Sequence, residues 1–175
     1  MTDTETPANG TSPQALAQRS LLLRIHVCWP QIRLFGVLGA VAIIVGGLIA
    51  AGSAPARSEL GAWAAAYLVL VGGAAQITIG AGQVLLPLRP LRRAAADAQI
   101  ALWNSGTVAV IIGTATGLHA VSDAGGLLLL VALALSIRFV RDATGLGAWL
   151  YRLFVAALAV SVLIGLVVAR IHPLG

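Results

Sequence analysis

The feature that most constrains this chain is a run of residues, 60–88, that contains no charged side chain. An α-helix rises about 1.5 Å per residue, so a helix over this run can cross the roughly 30 Å hydrocarbon core of a bilayer. Four more apolar runs occupy residues 34–51, 98–121, 124–140 and 147–169. The sequence therefore predicts an all-α fold, a multi-pass membrane helical bundle with five transmembrane helices.

The composition favours a membrane protein over a soluble domain. Hydrophobic residues make up 59% of the chain and charged residues 10%, and the mean hydropathy is +0.95; all three values are typical of membrane proteins. All 11 basic residues are Arg, which with the abundant Ala and Gly indicates a GC-rich bacterial genome. We therefore expect the chain to lie in the bacterial cytoplasmic (inner) membrane.

The Arg residues predict how the chain is oriented. If the N-terminus is cytoplasmic, only Arg57 and Arg170 face outward, as the excess of positive charge on cytoplasmic loops requires. We expect an N-in/C-out topology, with no nucleic-acid partner needed to explain the net charge of +5. The cytoplasmic set is Arg19, Arg24, Arg33, Arg89, Arg92, Arg93, Arg138, Arg141 and Arg152. Within it, the cluster of Arg89, Arg92 and Arg93 either fixes the topology or binds anionic lipid headgroups.

The N-terminal third of the chain divides into three predicted segments. Residues 1–12 are polar and predict a disordered tail. Residues 13–33 predict a short amphipathic helix on the inner membrane surface, which begins near Pro13 and ends at Pro30. The membrane domain then occupies residues 34–175. The aromatic residues expected at its inner interface are Trp29, Phe35, Trp103, Phe139, Trp149, Tyr151 and Phe154, and those expected at its outer interface are Trp63 and Tyr67.

Polar residues interrupt the second span at helical spacing. Gly72, Gln76, Gly80 and Gln83 fall on one stripe of a helix, which predicts a face directed at neighbouring helices. Counting from the expected span ends places Gln83 level with Asn104 on the returning helix. Because an unpaired amide in hydrocarbon is costly, we expect Gln83 and Asn104 to form a hydrogen bond. Gln76 is expected to bind Ser161 or a backbone carbonyl.

Small residues mark faces that can pack closely against other helices. The fifth span repeats small residues at intervals of four, and the first and third spans carry looser versions of the pattern. The predicted packing residues are Gly106, Gly113 and Gly117 on the third span, Ala157, Ser161, Gly165 and Ala169 on the fifth, and Gly36, Ala40, Gly47 and Ala51 on the first.

Catalytic and metal-binding patterns are absent from the sequence. No nucleophile, base and acid occur at a plausible common depth, so we do not expect an enzyme. No Asp or Glu lies within a span, which argues against a proton-coupled transporter. His119 and His172 are weak candidates for a shared metal or haem at the outer ends of two helices, and no cofactor is expected.

Two functions remain open from the sequence. The first is a structural or accessory subunit that packs against another membrane protein or a second copy of itself. The alternative is a small transporter or channel for a neutral solute, with Gln76, Gln83 and Asn104 as its polar lining. The lipid bilayer is the partner that both hypotheses share.

Overall fold

The computed structural model describes residues 12–86 and 92–171, and these ranges contain helices and no strand. The elements are α1 (Pro13–Ser53), α2 (Glu59–Tyr67), the π-helical segment π1 (Leu68–Ala75), α3 (Gln76–Leu85), α4 (Arg93–Thr116), α5 (His119–Phe139) and α6 (Leu146–Ile171). Five stretches are long and apolar enough to cross a membrane: Arg33–Ser53, Glu59–Gln83, Arg93–Thr116, His119–Phe139 and Leu146–Val167. The predicted all-helical architecture with five such helices is confirmed.

Helix α1 differs from its predicted form. It begins as expected, with Pro13 in its first turn and the Ser12 hydroxyl accepting a hydrogen bond from the Ala15 amide at 3.2 Å. It then continues through Pro30 to Ser53 without the predicted end. A proline removes one helical hydrogen bond, and here that loss does not end the helix. The tail predicted for residues 1–12 lies outside the described residues, apart from Ser12.

The second apolar run forms one continuous rod, in which π1 joins α2 to α3. A π-helix uses the wider i→i+5 hydrogen-bonding pattern and is rare beyond a single turn. Here it contains the Gly72–Gly73 pair, which packs on α1. A methyl group added at Gly39 would lie 3.1 Å from the Gly73 carbonyl oxygen, and one at Gly73 would lie 3.1 Å from the Gly39 carbonyl oxygen.

The glycines that join α1 to this rod are not the ones that the sequence predicts. Gly39 and Gly46 are buried against the rod, whereas Gly36 and Gly47 have open space where a side chain would begin. The prediction that Gly36 and Gly47 belong to the packing face of α1 is therefore wrong. Counting intervals along a helix finds a face that could pack, but the neighbouring helix decides which face does.

Helices α4 and α5 form a tight antiparallel hairpin. A methyl group at Gly106 would lie 2.8 Å from the Gly125 carbonyl oxygen, and the reverse distance is also 2.8 Å. The turn falls earlier than predicted, since α4 ends at Thr116 and α5 begins at His119. Gly117 makes that turn with φ of 71°, a left-handed conformation that glycine adopts without strain.

Helix α6 lies along α5 and contacts the rest of the bundle through one side. Ala148, Tyr151 and Val155 are buried on that side. Near its start, Arg152 donates from Nη2 to the carbonyl oxygens of Val140 (2.9 Å), Arg141 (2.8 Å) and Ala143 (2.8 Å). The guanidinium thereby binds carbonyl oxygens of the connection between α5 and α6.

Candidate functional site

A cluster of polar side chains lies where α3, α4 and α5 meet. Gln83 donates from Nε2 to Gln99 Oε1 at 2.7 Å and is 3.5 Å from Ser136 Oγ. Gln99 donates from Nε2 to Ser136 Oγ and to the Ala132 carbonyl oxygen at 3.2 Å. Ser136 in turn donates to the Ala132 carbonyl oxygen at 3.0 Å. We call Gln83, Gln99 and Ser136 the amide cluster.

The amide cluster is closed to the outside. Gln99 and Ser136 have no exposed surface and Gln83 retains 4%. Tyr151 of α6 covers it from a fourth helix, with its hydroxyl near Ser136 and Gln83 and 3.5 Å from the Ile79 carbonyl oxygen. Carboxamides and a serine hydroxyl are uncharged groups that both donate and accept hydrogen bonds. This cluster can therefore hold helices together by hydrogen bonds.

The predicted bond between Gln83 and Asn104 is wrong. Asn104 is half-buried and its Nδ2 donates to the Ile100 carbonyl oxygen of its own helix at 2.8 Å. The error comes from the position of the connection before α4. Helix α4 begins at Arg93, five residues before the predicted start at residue 98. Gln99 likewise lies five residues before Asn104. Gln99 therefore lies level with Gln83.

Gln76 is the second polar feature of the interior. It follows π1 directly, and its side chain is fully buried. Among the described residues, neither Oε1 nor Nε2 has a hydrogen-bond partner, so neither Ser161 nor a described backbone carbonyl is bonded to it. Ser161 is exposed on α6. Buried polar atoms without partners are uncommon and call for an explanation.

The surroundings of π1 are tightly packed. A methyl group at Gly72 would lie 3.2 Å from Ala42 Cβ on α1 and 3.6 Å from Thr107 Cγ2 on α4. Trp103 of α4 donates from Nε1 to the Val71 carbonyl oxygen at 3.3 Å. At 2% exposure, Trp103 lies in the protein core. Phe35 and Tyr151 are buried as well, so the expectation that these three aromatic residues face the membrane interface is wrong.

The other predicted packing residues fall into two groups. Gly72, Gly80 and Gly113 are buried between helices, with Gly80 against Phe35 and Gly113 against Ser122. Gly117, by contrast, is exposed in the α4–α5 turn and has no atom within 4 Å of an added methyl group. It ends a helix and does not pack, because α4 stops before it.

The small residues of α6 lie on the outside of the bundle. Ala157, Ser161 and Gly165 are all exposed, and space is open where a side chain at Gly165 would begin. Exposed large hydrophobic residues flank them, among them Leu153, Val160 and Ile164. The described part of the chain therefore leaves this face of α6 uncovered.

The charged and histidine candidates lie apart from the amide cluster. Arg92 and Arg93 are exposed at the start of α4, and Arg89 lies outside the described residues. His119 is exposed in the first turn of α5, and its suggested partner His172 is also outside the described residues. Within the described ranges, no group of three or more His, Cys, Asp or Glu could hold a metal ion.

Two residues of the amide cluster were not identified from the sequence. Gln99 opens a row at intervals of four, Gln99, Trp103 and Thr107, all of which are buried. Ser136 ends a comparable buried row on α5 that includes Leu129, Ala132 and Leu133. Recognising that these rows share the helical spacing of the second span would have indicated both residues.

The architecture indicates a broad class of protein. Five long apolar helices around a closed polar interior are features of a multi-pass membrane protein. No protein-family model, curated protein or solved structure matches the chain.

Proposed function

We propose that this chain is a structural or accessory subunit of a bacterial cytoplasmic membrane complex. In this proposal the five long helices cross the membrane with the N-terminus inside and the C-terminus outside. The exposed face of α6 packs against a transmembrane helix of another membrane protein or of a second copy. The enzyme hypothesis is not retained.

The observation that carries the proposal is the contrast between the buried and the exposed residues of α6. One side is buried through Ala148, Tyr151 and Val155. Farther along the helix, Ala157 and Gly165 are exposed next to bulky apolar residues. Between helices in a membrane, small residues let two backbones approach closely, and flanking bulky residues fill the adjacent grooves. A face of this kind supports contact with another helix.

The interior also supports a packing role over a passage for solutes. Gln83, the predicted polar lining, is engaged by Gln99 and Ser136. Asn104 bonds to its own backbone. Neither amide is available to replace the hydration of a passing solute, as the lining of a selective pore must.

A tagged copy purified in mild detergent tests the proposal. We expect a second membrane protein, or an untagged second copy, to be recovered with the wild-type chain. Gly165→Leu should abolish that recovery because the added side chain occupies the space where the partner helix approaches. Gly36→Leu is the matched control, since Gly36 also has open space around it but lies on α1. Recovery of the monomer alone, or equal recovery with Gly165→Leu, contradicts the proposal.

One observation favours a second candidate, a transporter or channel for a small neutral solute. Gln76 is fully buried beside a π-helical segment with both amide atoms unpaired, and π-helical turns are frequent at functional sites. In this hypothesis the free amide receives the solute when the π1 region opens. Liposomes with the wild-type chain should then pass small neutral solutes faster than liposomes with Gln76→Met, and equal rates eliminate the candidate.

A further inference from the structure

A groove runs between the end of α1 and the start of α2, apart from the amide cluster and from α6. It has a volume of about 600 Å³ and opens to the outside of the bundle. Its walls are formed mainly by small apolar residues, Gly46, Gly47, Ala50, Ala62, Ala65 and Ala66. The small side chains leave a slot between two helices that are joined by a short connection.

The connection places two opposite charges at one end of the groove. Arg57 lines it from the connection and Glu59 from the first turn of α2. Both are exposed, and neither forms an ion pair with a residue in the described part of the chain. Arg57 has φ of 49°, a left-handed conformation that is uncommon outside glycine. The backbone thus holds an unpaired cation two residues from an unpaired anion.

The length of the groove matches one leaflet of a bilayer. On α2 and π1 it extends from Glu59 to Leu70, which at about 1.5 Å per residue corresponds to about 16 Å. Half of a hydrocarbon core is about 15 Å. An acyl chain that lies in the groove would therefore place its headgroup beside Arg57 and Glu59.

We propose that this groove binds a phospholipid whose headgroup carries both a phosphate and a primary ammonium. One acyl chain lies in the slot between α1 and α2. Arg57 donates hydrogen bonds to the phosphate and Glu59 accepts one from the ammonium group. The proposal rests on the membrane location given above and is independent of what packs on α6.

Charge complementarity selects this lipid among the classes that could occupy the groove. A phosphate alone would meet Arg57 but would also be repelled by Glu59. A quaternary ammonium has no N–H to donate, so it cannot replace the hydrogen bond to the carboxylate. A transmembrane helix from a second copy would have to bring apolar surface to the two unpaired charges. Arg57 is one of the two Arg residues expected outside. The excess of positive charge on the cytoplasmic side therefore does not explain its position.

Lipid binding to the full-length chain in detergent, followed by native mass spectrometry, tests the headgroup. Three lipids with identical acyl chains are compared, with phosphoethanolamine, phosphoglycerol and phosphocholine headgroups. We expect the phosphoethanolamine lipid to bind about tenfold more tightly than the other two, the effect of one charge-assisted hydrogen bond. Arg57→Gln should weaken binding of all three, and Glu59→Gln should remove the preference for phosphoethanolamine. Arg138→Gln, at the end of α5, is the control for charge.

A second pair of variants tests the slot itself. Gly47 lines the groove and has open space around it, so Gly47→Leu fills the slot without a clash and should abolish lipid binding. Gly36→Leu, with equal space outside the groove lining, should bind as the wild type does. Equal binding of the three lipids, stronger binding of phosphoglycerol, or unchanged binding with Gly47→Leu would overturn the proposal. So would a change of oligomeric state with Gly47→Leu, which would identify a helix as the occupant.

Discussion

Gln83 and Gln76 lie on the same buried stripe of the second apolar run, yet their surroundings differ. Gln83 joins a network that links α3, α4 and α5 through Gln99 and Ser136. Gln76, one residue past π1, has no partner for either amide atom in the described part of the chain. The two residues have the same chemistry and nearly the same burial. The comparison teaches that helical spacing directs a polar group inward, while the neighbouring helix determines whether it is satisfied there.

The largest expected effect on the free energy of unfolding comes from removing a hydrogen bond of the amide cluster. Gln99→Leu removes the 2.7 Å hydrogen bond that Gln83 donates, and the loss of such a partner by a buried amide costs about 2 kcal/mol. We expect the free energy of unfolding to fall by about that amount, measured by SDS titration in detergent micelles with Trp fluorescence. Gln18→Leu makes the same change at an exposed position of α1 and should have little effect. An equally stable Gln99→Leu variant would mean that the amide cluster does not hold the helices.

An effect of opposite sign is expected at Gln76. Gln76→Met keeps the length and flexibility of the side chain but removes two unsatisfied polar atoms. We expect the variant to gain about 1 kcal/mol in the free energy of unfolding, measured by the same titration. A loss as large as that of Gln99→Leu would show that Gln76 has a partner, and would remove the contrast between the two glutamines.

The smallest effect is expected at Asn104. Its amide bonds only to the Ile100 carbonyl of its own helix, so Asn104→Leu should change the free energy of unfolding by less than about 0.5 kcal/mol. A double-mutant cycle sharpens the test. Gln83→Leu and Gln99→Leu should show a coupling of about 0.6 kcal/mol, the typical value for a hydrogen bond between membrane helices. Gln83→Leu and Asn104→Leu should show none, and a coupling there would restore the pair expected from the sequence.

Much of the fold was predictable because the relevant signals are local. Hydrophobic length identified all five long helices, and helical spacing identified the stripe of Gly72, Gln76, Gly80 and Gln83, all of which are buried. The ends of the helices were less accurate. The chain continues through Pro30 in α1 and turns at Gly117, earlier than an uninterrupted apolar run indicates. Apolar residues fit both a helix and the turn that follows it, so hydropathy alone does not locate the end.

The sequence predicted that amide side chains would form the polar site. It did not predict which of them would hydrogen-bond to one another. A shift in the start of α4 changed the partner of Gln83 from Asn104 to Gln99. The contact between α1 and the rod likewise depends on how the two helices are placed. It uses Gly39 and Gly46, whereas the sequence predicted Gly36 and Gly47. Antiparallel helices have a register that depends on where each connection begins and ends. A small error there moves every predicted contact by about a turn.

Five long apolar helices with a polar stripe turned inward could be predicted from the amino-acid sequence, since length and periodicity are properties of each segment alone. Packing between the described helices shows three further features: Gln83 is hydrogen-bonded and Gln76 is not, α6 leaves Ala157 and Gly165 uncovered, and a groove ends at Arg57 and Glu59. These outcomes depend on the relative positions of side chains from different helices. Their spacing along the chain does not encode those positions.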